Sequence, residues 1–286
     1  MNLFAAFLVP ERHYWVDRLN PCVVHFTGNF GIRWYGITYL AGILFAYIVS
    51  MRWAKQGRLS IPVEEVSTLI VYATVGVVVG GRLGYCFLYN FREVLRHPLE
   101  VVAVWHGGMA SHGGILGMML AIWLFARQRN LDPWIFLDAA ADTGPIGIAF
   151  GRIANFINGE LWGRPTEVWW AVIFPDAPLV DGINLPRHPS QLYAAGLEGL
   201  LVFAIAQWVF RHQTRAGMTT AAVCIAYGIA RFVDEFWRQP DFGQPVFWGW
   251  MSKGQLFTIP MFLAGIALAL WRTRATTIGI DQQVES

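Results

Sequence analysis

Seven apolar stretches divide the chain, near residues 34–51, 66–89, 110–126, 134–157, 192–210, 217–237 and 255–271. Each approaches the roughly 20 residues that a helix needs to cross a bilayer. The third and the last are short and have room to extend at either end. Between them lie short basic connectors and three longer polar segments. Residues 159–191 hold several Pro, Gly and Asp, are too polar to span, and predict a small extramembrane head. Residues 1–33, with Trp15 and mixed charges, predict an interfacial arm, and residues 90–109 a second one. No fixed-period repeat is visible, which excludes a solenoid and argues against an inverted-repeat transporter. The pattern predicts an all-α polytopic membrane protein of about seven transmembrane helices, with outer-side arms and a small head, over residues 1–286 as one membrane-embedded domain.

Composition agrees with that reading. Hydrophobic residues make up 55% and charged residues 14% of the chain, against the roughly 25% charged content of a soluble domain. The formal net charge of +2 comes with no basic run, so nucleic acid is not an expected partner. Cys22, Cys86 and Cys224 are isolated and read as small hydrophobes, neither a disulfide framework nor a metal site. Met1 to Pro10 has no basic n-region and no cleavage pattern, so no signal peptide is expected. Arg52, Lys55 and Arg58, Arg127 and Arg129, Arg211 and Arg215, and Arg272 and Arg274 follow alternate stretches. With seven spans they share one side, which positive-inside reasoning makes cytoplasmic, leaving the N-terminus outside and the C-terminus inside.

Charges within the apolar stretches carry the chemistry. Arg152 and Asn155 lie in GIAFGRIANFINGELWG, three residues apart and on one helical face. An arginine at mid-membrane costs roughly 2.5–3.5 kcal/mol on insertion scales and marks a cavity with a function. A guanidinium beside an amide suits a phosphate or carboxylate headgroup. Arg82 sits among Gly76, Gly80 and Gly84, whose spacing predicts close helix packing, and Asp138, Asp142 and Glu198 are its candidate partners. His112 lies in HGGMASHGGILG, where Gly107, Gly108, Gly113 and Gly114 open the backbone to close approach. Histidine also suits proton transfer near neutrality. His106 shares the neighbourhood and receives no role. In YGIARFVDEFWRQPD, the residues Arg231, Asp234, Glu235 and Arg238 fall at spacings of three and four, with Tyr227 one turn earlier, so one face lines a polar cavity. Pro186 and Pro189 in LPRHPSQLY bar a regular helix ahead of the fifth stretch.

Taken together, RWYGITYLAG, GGRLGYCFLYN, GGMASHGG, GRIANFINGELWGRP, RHPSQLY, YGIARFVDEFWRQPD and SKGQLFTIPM resemble, in order, the bacterial prolipoprotein diacylglyceryl transferase family, from residue 33 to about 261. The resemblance implies a multi-pass enzyme of the bacterial inner membrane. It would transfer the diacylglyceryl group of phosphatidylglycerol to the lipobox cysteine of a prolipoprotein signal peptide, forming a thioether and releasing glycerol phosphate. No cofactor and no metal are implied; phosphatidylglycerol, the lipobox peptide and membrane lipids are the partners. Residue by residue, it implies catalytic roles for His112, Arg152, Arg231 and Glu235. Substrate-binding roles would fall to Tyr35, Asn155, Glu160, Gly163, Tyr227 and Arg238. Residues between Arg164 and Leu185 do not match the family pattern.

Negative charge developing on the leaving phosphate ester would meet Arg152 and Arg231 in a low-dielectric cavity, where preorganised donors act most strongly. A thiol with a pKa near 8.5 is mostly protonated at neutral pH, so a base is needed, His112 or its rival Glu235. Two other classes share some of these features. A polytopic transporter for an anionic substrate would also carry intramembrane Arg and acidic residues. A CDP-alcohol phosphotransferase would need an aspartate array that Asp138 and Asp142 do not supply.

Overall fold

The computed structural model describes residues 13–27, 30–88, 90–103, 107–212, 215–240 and 247–284. His106, the first part of the predicted N-terminal arm and part of the second arm lie outside them. In chain order the elements are β1 (Trp15–Val16), β2 (Cys22–Thr27), β3 (Phe30–Arg33), α1 (Trp34–Lys55), α2 (Glu65–Leu88), α3 (Phe91–Arg96), a 3-10 turn (Pro98–Val101), α4 (Ser111–Gln128) and α5 (Pro133–Ile157). They continue as β4 (Val172–Ile173), α6 (Ser190–Ala194), a π-helical segment (Ala195–Leu201), α7 (Val202–His212), α8 (Met218–Asp234) and α9 (Lys253–Val284). The protein is a helical membrane protein. Four helical stretches are long and apolar enough to cross a membrane: Trp34–Lys55, Glu65–Phe87, Ser190–His212 and Gly254–Arg274. Their flanks are exposed apolar side chains such as Leu40, Leu44, Val75, Leu200 and Leu263, the surface a bilayer solvates.

Local signals set the helix starts. Asp132 caps α5 by accepting from Trp134 N at 3.0 Å, with Pro133 in the first turn. Ser252 and Gln255 form a reciprocal capping box for α9: Ser252 Oγ accepts from Gln255 N at 3.1 Å, and Gln255 Oε1 accepts from Ser252 N at 2.9 Å. Asp138 of α5 accepts from Gly217 N and Thr220 N, both at 2.7 Å, and so caps α8 from another helix. As Pro186 and Pro189 lead one to expect, α6 begins only at Ser190. The sixth apolar stretch stops short of its predicted end: α8 ends at Asp234, and residues 235–237 form a turn.

Glycines fasten α2 to α4. A Cβ on Gly80 would fall on Gly113 O, and one on Gly84 would lie 2.8 Å from Gly113 Cα. Gly113 and Gly114 therefore accommodate α2, and Gly108 accommodates the ring of Tyr85, so these three glycines serve packing and not the approach of a ligand. Arg82 is 4% exposed and corrects a second expectation. Its partners are Glu100, at 3.3 Å, and the carbonyls of Glu100 and Gly107, not Asp138, Asp142 or Glu198. The guanidinium ties the second arm and the start of α4 to α2. Asp138 is taken up by the α8 cap, and Asp142 by Gln207.

At one end of the bundle an apolar cluster of Trp53, Leu59, Val66, Phe125, Phe136 and Phe210 joins the helix ends. The basic connectors meet there: Arg58 donates to Phe210 O, Arg129 pairs with Glu65, and Arg272 donates to Ala216 O and pairs with Asp132 at 3.1 Å. All four connectors thus share one end. At the opposite end the N-terminal arm carries an antiparallel β2–β3 hairpin. There β1 pairs in parallel with β4, while Trp15 stacks on Phe156 at 5.7 Å. The polar residues 1–33 predict an arm there but no strands.

Candidate functional site

Three helices bring six charges together. Glu198, with no exposed surface, lies in the π-helical segment, and both arginines of the predicted site reach it. Arg152 Nη2 donates to Glu198 Oε2 at 2.8 Å, and Arg231 Nη1 to Glu198 Oε1 at 3.1 Å. The extra residue of a π turn re-aims the side chains it carries. Gly199 lets α5 come close: a Cβ there would lie 2.5 Å from that of Ala149, one turn before Arg152. Arg231 continues the chain of ion pairs, reaching Glu235 Oε2 at 2.7 Å and Asp234 Oδ2 at 3.4 Å. Arg238 stands 3.8 Å from Glu235. Tyr227 OH lies 3.5 Å from Glu198 Oε2. Gly254 at the start of α9 leaves room for the Glu235 carboxylate, because a Cβ there would come within 2.7 Å of its Cδ.

A second cluster grows from the C-terminal end of α5. Asn155 Nδ2 donates to Tyr35 OH at 2.6 Å and to Glu160 Oε1 at 2.7 Å, and Asn158 Nδ2 approaches the same oxygen at 3.4 Å. Gly163 is pressed between two segments: a Cβ would lie 2.5 Å from His188 O and 2.8 Å from Trp237 O. No other residue fits there. Its N–H donates to His188 O at 2.9 Å, and its residue bridges to Arg238.

Of the ten predicted site residues, the structure joins Arg152, Arg231, Tyr227, Glu235 and Arg238 in one network. Tyr35, Asn155 and Glu160 form the adjoining cluster, and Gly163 connects the two through Arg238. His112 joins neither directly. It is exposed near the start of α4, and its ring meets Phe257 of α9 edge-on at 5.7 Å, one turn beyond Gly254. Glu198 is the residue that sequence reasoning missed as a member of this site. Its signal was a lone acid within an apolar stretch, and it was there assigned to the wrong arginine.

Chemically, two convergent guanidiniums held by a buried carboxylate can receive an anion without moving. Tyr35, Asn155 and Glu160 offer hydroxyl, amide and carboxylate groups to neutral hydroxyls beside it. Outside the spans, burial pushes His188 below the ordinary histidine value. Its Nδ1 lies 3.1 Å from Tyr193 OH.

The sequence model of the prolipoprotein diacylglyceryl transferase family matches residues 21–271. Proteins named phosphatidylglycerol–prolipoprotein diacylglyceryl transferase are similar along most of their length. One from Bordetella avium strain 197N is 41% identical over 251 residues, 87% of this chain and 94% of that protein. One from Idiomarina loihiensis is 42% identical over 261 residues, 91% and 96% of the two chains. One from Brucella anthropi is 42% identical over 280 residues, 94% and 97%. These similarities give no support to the transporter reading.

Proposed function

The chain belongs to the prolipoprotein diacylglyceryl transferase family, and from that premise we propose that the Arg152–Glu198–Arg231 network is where it acts on phosphatidylglycerol. It is a multi-pass bacterial membrane enzyme that transfers a diacylglyceryl group from phosphatidylglycerol to a prolipoprotein. The observation that carries the site assignment is the convergence of Arg152 and Arg231, 79 positions apart in the sequence, on one buried carboxylate.

In the proposed step the lipobox cysteine sulfur attacks the glycerol carbon that bears the phosphate. An S–C bond forms, the C–O bond to the phosphate breaks, and glycerol phosphate leaves with the electron pair on its oxygen. Arg152 and Arg231 stabilise that charge; Glu198 orients both guanidiniums from below. Glu235 and Arg238 hold Arg231 from the other side, and Tyr227 lines the same wall. His112 takes the thiol proton from the exposed start of α4, where its ring packs on Phe257, one turn of α9 beyond the Gly254 that meets Glu235. Glu235 is the rival acceptor, already engaged by two arginines. Tyr35, Asn155 and Glu160 hydrogen-bond the uncharged glycerol headgroup, and Gly163 keeps their loop against Arg238.

In the membrane, α4, α5 and α8 cross alongside the four stretches long and apolar enough to span, giving seven spans. All of 1–286 forms one domain, and residues 159–191 form a head on the outer side. The N-terminus is outside, and the C-terminus and the basic connectors are cytoplasmic. Incubating the purified protein with labelled phosphatidylglycerol and a lipobox peptide tests the substrate assignment. Label appears on the peptide cysteine, and phosphatidylethanolamine, whose ammonium falls near Arg152, is turned over far more slowly. Equal turnover of the two lipids contradicts the headgroup assignment.

A further inference from the structure

The segment Arg187–Gln191 was singled out by its prolines, yet no step of the proposed reaction uses it. Three of its polar side chains, Arg187, Ser190 and Gln191, are 2%, 2% and 1% exposed. Each donates to a backbone carbonyl of one short loop. Gln191 Nε2 meets Glu160 O at 2.6 Å, Ser190 Oγ meets Leu161 O at 3.0 Å, and Arg187 Nη1 reaches Gly163 O at 3.4 Å. The backbone joins in, with Gly163 N donating to His188 O at 2.9 Å.

That loop is strained. Gly159 and Leu161, on either side of Glu160, have φ of +62° and +57°. For leucine the left-handed region is unfavourable, and such conformations cost on the order of 1–3 kcal/mol and persist only where the surroundings over-determine them. Here the surroundings are the 187–191 segment. Gln191 Oε1 has no partner among the described residues, so its amide acts through the donor that grips the loop, while Arg187 is shared, its Nη2 donating to Pro178 O at 2.8 Å in the head. An acceptor left idle in a buried amide is costly, and the donated bond must offset it.

We propose that Arg187, Ser190 and Gln191 are positioning residues that hold residues 159–163 in this shape and thereby aim the Glu160 carboxylate at Asn155. The inference rests on the reading of Tyr35, Asn155 and Glu160 as the headgroup site. These residues set recognition of phosphatidylglycerol without touching it. The lipobox peptide, bound elsewhere, is indifferent to them.

Gln191→Met and Ser190→Ala remove one donor each at nearly constant volume, and Ser190→Thr restores a hydroxyl. In the full-length protein in detergent, each donor deletion raises KM for phosphatidylglycerol by about tenfold, the scale of one lost hydrogen bond beside a buried carbonyl. KM for the peptide stays unchanged, and Ser190→Thr recovers most of the loss. In a Glu160→Gln background neither deletion adds a further effect. Hydrogen–deuterium exchange across residues 159–163 speeds up in both deletions, with or without Glu160. Additive losses, equal shifts in both KM values, or unchanged exchange in this loop overturn the proposal. Faster exchange together with a Glu160→Gln variant of normal KM contradicts the headgroup reading instead, and leaves the loop-holding role standing.

Discussion

At the scale of single residues, four inward-facing arginines are fixed by what they touch. Arg82 closes an arm, Arg152 and Arg231 share Glu198, and Arg187 grips carbonyls. Removing one partner of a buried ion pair typically costs 3–5 kcal/mol because the other charge is left unpaired. His188 makes a separate prediction. Burial holds its folded-state pKa below the ordinary value of 6.5, so between the two values the unfolded chain binds a proton that the folded one does not. Stability is therefore complete above pH 6.5 and declines as pH falls through that value toward the folded pKa. Thermal unfolding from pH 7.5 to 5 shows a falling midpoint, and His188→Asn, which does not titrate, flattens it; an equal slope in the variant contradicts this. Much at this scale was legible in the sequence. Arg152, Arg231 and Glu235 stood out because charge within apolar stretches is expensive, and Asn155 as an amide on the face of Arg152. Glu198 was visible as a charge, but its partners were not, because they depend on a π turn and on Gly199 admitting α5.

At the scale of elements, apolar length placed the seven long helices close to their observed limits, except that α9 runs on to Val284, well past the predicted end at 271. The strands were not legible: β1 and β4 have two residues each, too few for any alternation to register. The Gly76–Gly80–Gly84 spacing did announce a close helix contact, and the structure makes its partner α4, through Gly113 and Gly117. Because a Cβ on Gly80 meets backbone on α4 and not a flexible side chain, neither helix can yield without shifting whole. Gly80→Ala is expected to destabilise the protein by roughly 1–3 kcal/mol, the range of overpacked cores. Thermal denaturation in detergent measures it, and an unchanged midpoint refutes this account of the interface. The same contact positions the start of α4, so transfer activity in Gly80→Ala should fall through misplacement of His112.

At the scale of the whole molecule, the basic connectors gather at one end, while the Asn155–Glu160 loop, the head and the N-terminal arm gather at the other. The outside-to-inside orientation is checked by replacing Gln56, in a basic connector, and the exposed Trp169 of the head with cysteine in separate variants. In intact spheroplasts a membrane-impermeant maleimide labels position 169 and leaves position 56 unlabelled until the membrane is opened; the reverse pattern inverts the topology. Between the two ends lies the proposed anion site, assembled from α5, the π-helical segment and α8. Its arginines were readable from sequence, but Glu198 as their partner and the assembly were not, since Arg152, Glu198 and Arg231 share no local pattern. Transfer of labelled diacylglyceryl to a lipobox peptide by Arg231→Ala tests that assembly most directly, with Arg231→Lys retaining a charge where the carboxylates converge. The account predicts a loss of at least about a hundredfold for Ala, the scale of a removed transition-state donor. It predicts a partial loss for Lys, which keeps the charge but not the fork. Full activity of membrane-inserted Arg231→Ala contradicts it.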